Sequence, residues 1–344
     1  MKLGIVGLAR SGKSTVFEAL TKNIIKTGSK EKNRIAAVKV PDKRVDVLSD
    51  FYKPRKTIYA QVEYFLPGIG SQTIDKNKNQ DIWAKTRDCD ALIHVVRNFA
   101  GFGFEEPDPF SDFIKLDQEF IIEDFVVIEK RLERLEQDMQ RGRAVNKEEV
   151  ALLKECLDNL EKEIPLRKNS KLFSAPILKG YAFISAKPKL MIFNNEDDDD
   201  KIPDAEDITS KEDCMVLRGK LEQELAQMSV EDAEDFLNEF NITASAMDRV
   251  IKRSYALLGL IAFFTVGEDE VRAWTIKKGA TALDAAGVIH TDFQKGFIRA
   301  EVLSYNDLMD AGTYNEARKK GTVKLEGKEY CVQDGDIINF RFNV

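Results

Sequence analysis

Residues 7–15 read GLARSGKST and follow the run KLGIV at 2–6. The spacing Gly7-x-x-x-x-Gly12-Lys13-Ser14 is that of a phosphate-binding loop, and its surroundings decide whether the match carries a mechanism. KLGIV is short and apolar and is expected to form a buried strand. TVFEALT at 15–21 places Val16, Phe17 and Leu20 on one side of a helix. Strand, glycine-rich turn and helix together give backbone N–H groups that surround phosphates, helped by the positive end of the helix. Lys13 is expected to reach the β- and γ-phosphates and to serve catalysis, and the Ser14 hydroxyl to bind Mg²⁺. Gly7, Arg10, Ser11, Gly12 and Thr15 complete the expected phosphate contacts.

The chain of 344 residues is long enough for two or three domains with buried cores. A hydrophobic fraction of 43% beside 32% charged residues describes a soluble globular protein. The net charge of −7 argues against a general nucleic-acid coat, although a local basic patch can hide inside an acidic total. Cys89, Cys156, Cys214 and Cys331 are far apart and form no C-x-x-C pair, as expected of reduced thiols in a cytosolic protein. No apolar run is long enough to span a bilayer, so no membrane partner is expected. LGIVGLA is too short and is broken too soon by Arg10 and Gly12 to be a signal sequence, so a cytoplasmic protein is expected; a monomer is expected as well.

Further along, VKVPDKRVDVLSDFY reads as a strand end and a helix, TIYAQVEYFL as a strand, and DALIHVVRNF and PKLMIF as buried strands. Strands alternating with helices predict a parallel sheet covered on both faces. Between the last two strands, Ile121, Phe125, Ile128, Leu132, Leu135 and Met139 step by four and three. Val150, Leu153, Leu157, Leu160 and Ile164 repeat that rhythm after the polar link RGRAVNK. This predicts an antiparallel coiled-coil hairpin inserted into the nucleotide domain, with Arg141, Arg143 and Lys147 at its tip. The acidic tract that starts at NEDDDD, 195–200, reads as a solvated loop. After about residue 260, VRAWTI, GFIRAEVL, GTVKLEGKEYCV and DIINFRFNV read as strands of a compact α+β domain.

The segment FFTVGEDEVRAWTIKKGATALDAAGVIHTDFQKGFIRAEVLSYNDL, followed by EGKEYCVQDGDIINFRFNV, resembles the C-terminal TGS-like domain of the YchF family. GIVGLARSGKSTVFEALT, VPDKRVDVLSDFY, CDALIHVVRNF and AKPKLMIFNNED fall in that family's order, so the resemblance covers essentially the whole chain. It implies an Obg-related P-loop protein associated with ribosomes and translation. The fold it implies is α/β: a P-loop G-domain with a parallel-rich sheet at 1–104 and 181–260, a coiled-coil hairpin inserted at 105–180, and a β-grasp domain at 261–344. The ligand it implies is GTP or ATP with Mg²⁺.

Departures from the family pattern fall on the hydrolytic parts. The family strand after switch I ends in V-D-I-A-G-L, whose Asp helps hold Mg²⁺ through water. Here the stretch is VEYFLPGIG, and Leu66 stands in the place of that Asp. Glu63 is three residues earlier, which on a strand points it to the opposite face. No Asp lies between Asp50 and Asp75, so no shift of alignment restores a D-x-x-G. Lys30 lies near the position of the switch I Thr. Ala9-Arg10-Ser11 replaces the family's P-N-V, and Arg10 either supplies a built-in cation beside the phosphates or faces solvent.

Base recognition follows the same resemblance. LMIF runs into Asn194-Asn195-Glu196-Asp197, where Asn194 is expected to steady the loop and Asp197 to accept two hydrogen bonds from guanine. A shift of one residue brings Glu196 into that role. Arg218-Gly219-Lys220 stands where relatives carry S-A-K, with the Gly219 N–H facing the base. GTP and ATP both stay open. The histidines, His94 in an apolar strand and His290 in the terminal domain, offer no evident base for hydrolysis. The expectation is a purine-nucleotide-binding, ribosome-associated protein with weak or absent hydrolysis. The alternative is an RNA- or ribosome-binding adaptor whose nucleotide is structural or regulatory.

Overall fold

The apolar run at the N-terminus forms β1 (Lys2–Val6), and the phosphate-binding sequence leads from it into α1 (Lys13–Thr21). The structure, a computed structural model, describes residues 1–22, 32–68, 76–101, 103, 105–204, 206–239 and 245–343. Then come β2 (Arg34–Lys39), α2 (Lys43–Tyr52), β3 (Lys56–Ile58), β4 (Gln61–Leu66), α3 (Lys76–Arg87) and β5 (Ala91–Asn98). The long α4 (Pro109–Gln140) and α5 (Lys147–Glu161) are followed by α6 (Ser170–Ser174), β6 (Lys189–Asn195), α7 (Glu206–Thr209), β7 (Asp213–Leu217), α8 (Gly219–Leu225), α9 (Val230–Glu239) and α10 (Ala246–Leu257). The remainder is β8 (Leu260–Val266), β9 (Glu270–Lys277), α11 (Ala282–Ile289), α12 (Thr291–Lys295), β10 (Phe297–Ser304), α13 (Tyr305–Ala311), α14 (Tyr314–Lys319), β11 (Lys324–Glu326) and β12 (Asp336–Phe342). The chain falls into two compact units, residues 1–36 with 63–247 and residues 37–62 with 248–344.

In the first unit the sheet runs β2-β4-β1-β5-β6-β7, and the β1–β4, β1–β5, β5–β6 and β6–β7 pairs are parallel. Buried runs such as LMIF suit strands covered on both faces. α4 crosses this sheet: Leu116 and Phe120 pack with Val6, Phe65 and Leu92, while Phe113 packs with Val96, Met191 and Phe193. A buried ion cluster fixes α4 to β6, with Lys189 Nζ 2.6 Å and Arg167 Nη2 2.5 Å from the Asp117 carboxylate. Burial opposes ionisation of Asp117, but the two cations outweigh it and hold the carboxyl at about 2.

Beyond the sheet, α4 and α5 make the hairpin. Ile121, Ile128 and Leu135 are buried together with Leu153, Cys156 and Leu160. Two expected seam positions lie outside it. Met139 is 55% exposed near the tip, and Ile164 is 40% exposed beyond the end of α5. There Glu163, at φ +58, turns the chain out of the helix, so the heptad rhythm outlasts the element. At the tip, Arg143 pairs with Asp138 at 2.7 Å.

The second unit holds a mixed sheet, β11-β10-β12-β8-β9-β3. β10–β11, β10–β12 and β8–β9 are antiparallel, while β12–β8 and β3–β9 are parallel. Ala282, Ala285 and Ala286 of α11 pack on Phe263, Ile276, Val302, Ile338 and Phe340. TIYAQVEYFL, read as one strand, is two: β3 pairs with β9 and β4 with β1. Between them the Ala60 carbonyl leaves both ladders and accepts from Val40 N–H at 2.8 Å. Among the described residues no helix is long and apolar enough to cross a membrane.

Candidate nucleotide-binding site

The loop between β1 and α1 lies at the carboxyl end of the parallel strands, where open α/β sheets bind ligands. Lys13 folds back over it, with Nζ donating to the Gly7 carbonyl at 2.9 Å and the Leu8 carbonyl at 2.5 Å. Burial lowers the Lys13 pKa to about 8, partly offset by the negative charge of Glu119 on α4. Gly12 is the N-cap of α1 and supplies no side-chain cap, so no side chain claims the first-turn N–H groups from that position. Ser14 and Thr15 are half-buried in that first turn. Arg10 is exposed and left-handed at φ +64. The Ser11 hydroxyl is buried without a hydrogen-bond partner among the described residues.

One side chain joins this loop to the rest of the expected site. Asn194, buried at the end of β6, donates from Nδ2 to the Ser11 carbonyl at 3.1 Å. Its Oδ1 accepts from the Gly219 N–H at 3.0 Å, at the start of α8. A Cβ on Gly12 or on Gly219 would run into the Asn194 amide, and Gly12 is also left-handed at φ +90. The loops after β1, β6 and β7 therefore close around Asn194.

The two candidate base-reading carboxylates have different commitments. Glu196 accepts from the Ala100 N–H at 2.6 Å and holds the loop after β5. Asp197 accepts from the Leu221 N–H at 3.1 Å with Oδ1, on the α8 side where Gly219 also lies. The start of the acidic tract is ordered by Asn195, which donates to Asp199 Oδ2 at 3.1 Å and to the Lys201 carbonyl at 2.7 Å.

The C-terminal family model YchF-GTPase_C, described as a protein of unknown function (DUF933), matches residues 260–343. "Ribosome-binding ATPase YchF" of Bacillus subtilis is 36% identical over 369 residues, covering 99% of both chains. The chain belongs to the YchF family. The protein of the same name in Haemophilus influenzae is 36% identical and covers 100% of this chain and 99% of its own. The solved structure of the Schizosaccharomyces pombe YchF GTPase superposes with a TM-score of 0.84 at 31% identity, covering 99% of this chain and 97% of that one.

Against the YchF pattern, the end of β4 is apolar. Leu66, which the sequence resemblance sets in the place of the family's switch Asp, is buried at 5% exposed. Glu63 pairs with Lys2 at the start of β1, at the opposite end of that strand from Gly7, and cannot serve as a substitute. Lys30 and the stretch 69–75 lie outside the described residues. Among the described residues no cluster of three His, Cys, Asp or Glu side chains could hold a metal.

Sequence reading missed one acid. Leu116 and Phe120 of α4 pack in the same cluster as Leu8 of the phosphate loop, and Glu119 between them is close enough for its charge to act on Lys13. Burial and neighbouring Glu123 raise the Glu119 pKa, against the opposing pull of Lys13. No motif signals Glu119, because α4 reaches the loop only through tertiary packing. His94 is buried and stacks on Phe113 at 5.7 Å, with neither ring nitrogen hydrogen-bonded among the described residues. Burial and the nearby Lys189 charge push its pKa well down, leaving it neutral and structural. His290 caps α12 by accepting from the Asp292 N–H at 3.2 Å.

Proposed function

We propose that this protein binds a purine nucleoside triphosphate on the 7–15 loop, in the cytoplasm and as a monomer, and hydrolyses it slowly or not at all. The observation that carries the reading is a built phosphate grip beside a missing acid. Lys13 is held by the Gly7 and Leu8 carbonyls and Asn194 fixes the loop, while β4 ends in buried Leu66. Phosphoryl transfer is mostly positioning and charge stabilisation, so an intact grip supports binding more than it supports turnover.

Gly7, Arg10, Ser11, Gly12, Lys13, Ser14 and Thr15 make the phosphate side of the proposed site, and Asn194, Asp197 and Gly219 the base side. The proposed organisation is a nucleotide-binding part, a hairpin insertion and a terminal β-grasp part. A Mg²⁺ ion accompanies the nucleotide in this reading. The residues present fit it only thinly: Ser14 would hold it from the first turn of α1, and Leu66 adds no oxygen. When bound, the ion would neutralise phosphate charge. In this reading Asp197, which bonds the α8 side, reads the base rather than Glu196, which bonds Ala100; that choice favours GTP, whereas the relatives' name speaks of ATP.

That name also supports the ribosome as the partner, with the nucleotide regulating the contact. Single-turnover hydrolysis of ATP and GTP, beside binding of each to wild type and Lys13→Ala, tests the reading. Binding lost in Lys13→Ala without hydrolysis in either protein is expected. Fast hydrolysis in wild type would overturn the slow-turnover reading, and unchanged binding in Lys13→Ala would overturn the site.

A further inference from the structure

A cleft of about 980 Å³ opens within the second unit, and every residue lining it belongs to 37–62 or 248–344. Its walls come from the turn into α2, the end of α10, the start of β8, the turn after β9 and the segment before β12. Clefts of roughly 300–1,000 Å³ are the size that holds small organic molecules. Val40, Ala60, Leu260 and Val332 give this one an apolar lining. Tyr255 lines it as well, held in place by its hydroxyl, which donates to the Ile261 carbonyl at 2.9 Å. Gly259 and Gly279 turn the wall in the left-handed region, at φ +62 and φ +87. The Lys278 N–H ties those turns together by donating to the Gly259 carbonyl at 2.9 Å.

One part of the lining is an ion triad that is already satisfied. Arg44 pairs with Asp42 Oδ2 at 2.8 Å and with Asp334 Oδ2 at 2.9 Å, and its guanidinium lies 5.1 Å from the centre of the Phe264 ring. Asp334 also accepts from the Ala262 N–H at 2.9 Å, which fixes the triad to β8. Burial opposes the Arg44 charge, but the hydrogen bonds and charges of both carboxylates outweigh it and raise its pKa. The other cations are uncommitted. Lys43 opens α2, Lys252 lies on α10 and Lys278 follows β9. All three line the cleft and are exposed, and their ammonium groups have no hydrogen-bond or ion-pair partner among the described residues. Four cations against two carboxylates leave the lining with two positive charges in excess.

We propose that this cleft binds a small organic phosphate, a phosphate monoester on an apolar body, with Lys43, Lys252 and Lys278 holding the phosphate. Each lysine is a compact cation on a flexible stem, so three of them anchored on separate elements can converge on one dianion. The apolar lining takes the body of the ester, at about 25 cal/mol for each Å² removed from water. Neither half is sufficient. Exposed lysines alone attract any anion weakly, and an apolar wall alone does not select a charged molecule. Arg44 is not among the phosphate ligands, because Asp42 and Asp334 occupy it; it fixes the backbone from which Lys43 extends. The site is a second one, beyond the nucleotide proposed on the 7–15 loop, and does not rest on that reading.

Isothermal titration calorimetry of the full chain with 1-naphthyl phosphate, beside inorganic phosphate and 1-naphthol, tests it. The titrations use wild type and Lys13→Ala, which silences the phosphate loop and leaves the cleft intact. Lys13→Ala should still bind naphthyl phosphate, at least tenfold more tightly than it binds inorganic phosphate or naphthol. Adding Lys252→Gln and Lys278→Gln should weaken that binding at least tenfold without lowering Tm, because neither ammonium holds an internal partner. Cys331, exposed in the lining, reports the location: saturating naphthyl phosphate should slow its alkylation by iodoacetamide severalfold, read by mass spectrometry. No binding by Lys13→Ala, unchanged binding in the lysine variant, or an unprotected Cys331 overturns the proposal. Equally tight binding of inorganic phosphate or of naphthol overturns it too, since the lysines or the apolar lining would then act alone. Tighter binding of a phosphotyrosine peptide than of naphthyl phosphate would give the cleft to a protein partner and overturn the small-molecule assignment.

Discussion

Asn194 and Ser11, 183 positions apart in the chain, are joined by a buried 3.1 Å hydrogen bond from the Asn194 amide to the Ser11 carbonyl. The same amide receives the Gly219 N–H, so one side chain satisfies groups from two loops. This makes Asn194 a support for the phosphate loop, whichever base is bound.

Replacing it should cost both stability and affinity. Asn194→Ala leaves the Ser11 carbonyl and Gly219 N–H unpaired, at about 1–3 kcal/mol for each group that stays dry. A fall in Tm with nucleotide binding weakened at least tenfold is expected from calorimetry. Asn194→Asp keeps the bond from Gly219 but faces the Ser11 carbonyl with another acceptor, so it should be no better. Unchanged affinity in both variants would separate the clamp from the ligand.

Lys13 predicts a pH dependence of binding. With a pKa of about 8 in the free protein, it is about nine-tenths charged at pH 7. Bound phosphate raises that pKa, so binding takes up a proton once the free lysine begins to lose its own. Nucleotide affinity should therefore hold near neutral pH and fall above about pH 8, by up to tenfold per unit. Lys13→Arg, charged throughout, should give a flat profile. Because the Glu119 charge props up the Lys13 pKa, Glu119→Gln should move the onset of the fall to lower pH.

Placing an acid at position 66 tests whether its absence limits hydrolysis. Leu66→Asp puts a carboxylate at the end of β4, where the side chain is now buried. A stability loss of about 1–3 kcal/mol is expected from the buried polar group. If Leu66 is what disables the site, single-turnover hydrolysis should rise at least tenfold while nucleotide binding persists. Binding without any gain would place the defect elsewhere.

His94 should make the protein sensitive to mild acid. Its unfolded pKa is near 6.5, whereas burial holds the folded value well below that. Below pH 6.5 the unfolded chain binds a proton that the folded chain refuses, so stability falls as pH drops, by up to about 1.4 kcal/mol per unit. Above pH 6.5 the group contributes no slope. His94→Phe keeps a ring against Phe113 and removes both unpaired nitrogens. It should raise Tm and remove this part of the acid slope, as denaturant melts at pH 5 and 7 would report.

The sequence by itself determined the features carried by local order. Gly7 to Thr15 specify a strand-turn-helix phosphate loop because the glycines, the lysine and the flanking periodicity are contiguous. The hairpin was legible in the steps of Ile121, Ile128 and Leu135, since a heptad is a local pattern. Its ends were not: Met139 and Ile164 keep the rhythm but lie outside the buried seam. The apolar end of β4 at Leu66 was legible too, and the register sets Glu63 opposite Lys2.

Tertiary structure alone decided what depends on pairing and packing between distant segments. TIYAQVEYFL alternates as one strand, but β3 and β4 find ladder partners in different sheets, and hydrogen-bond partners leave no mark on alternation. Glu119 comes under the field of Lys13 because α4 packs on the loop, over a hundred residues away in sequence. Arg299 and Arg341 are unremarkable as single charges, and only the antiparallel register sets them face to face. Coulombic and steric effects act through space, so the chain order that writes a motif cannot write these.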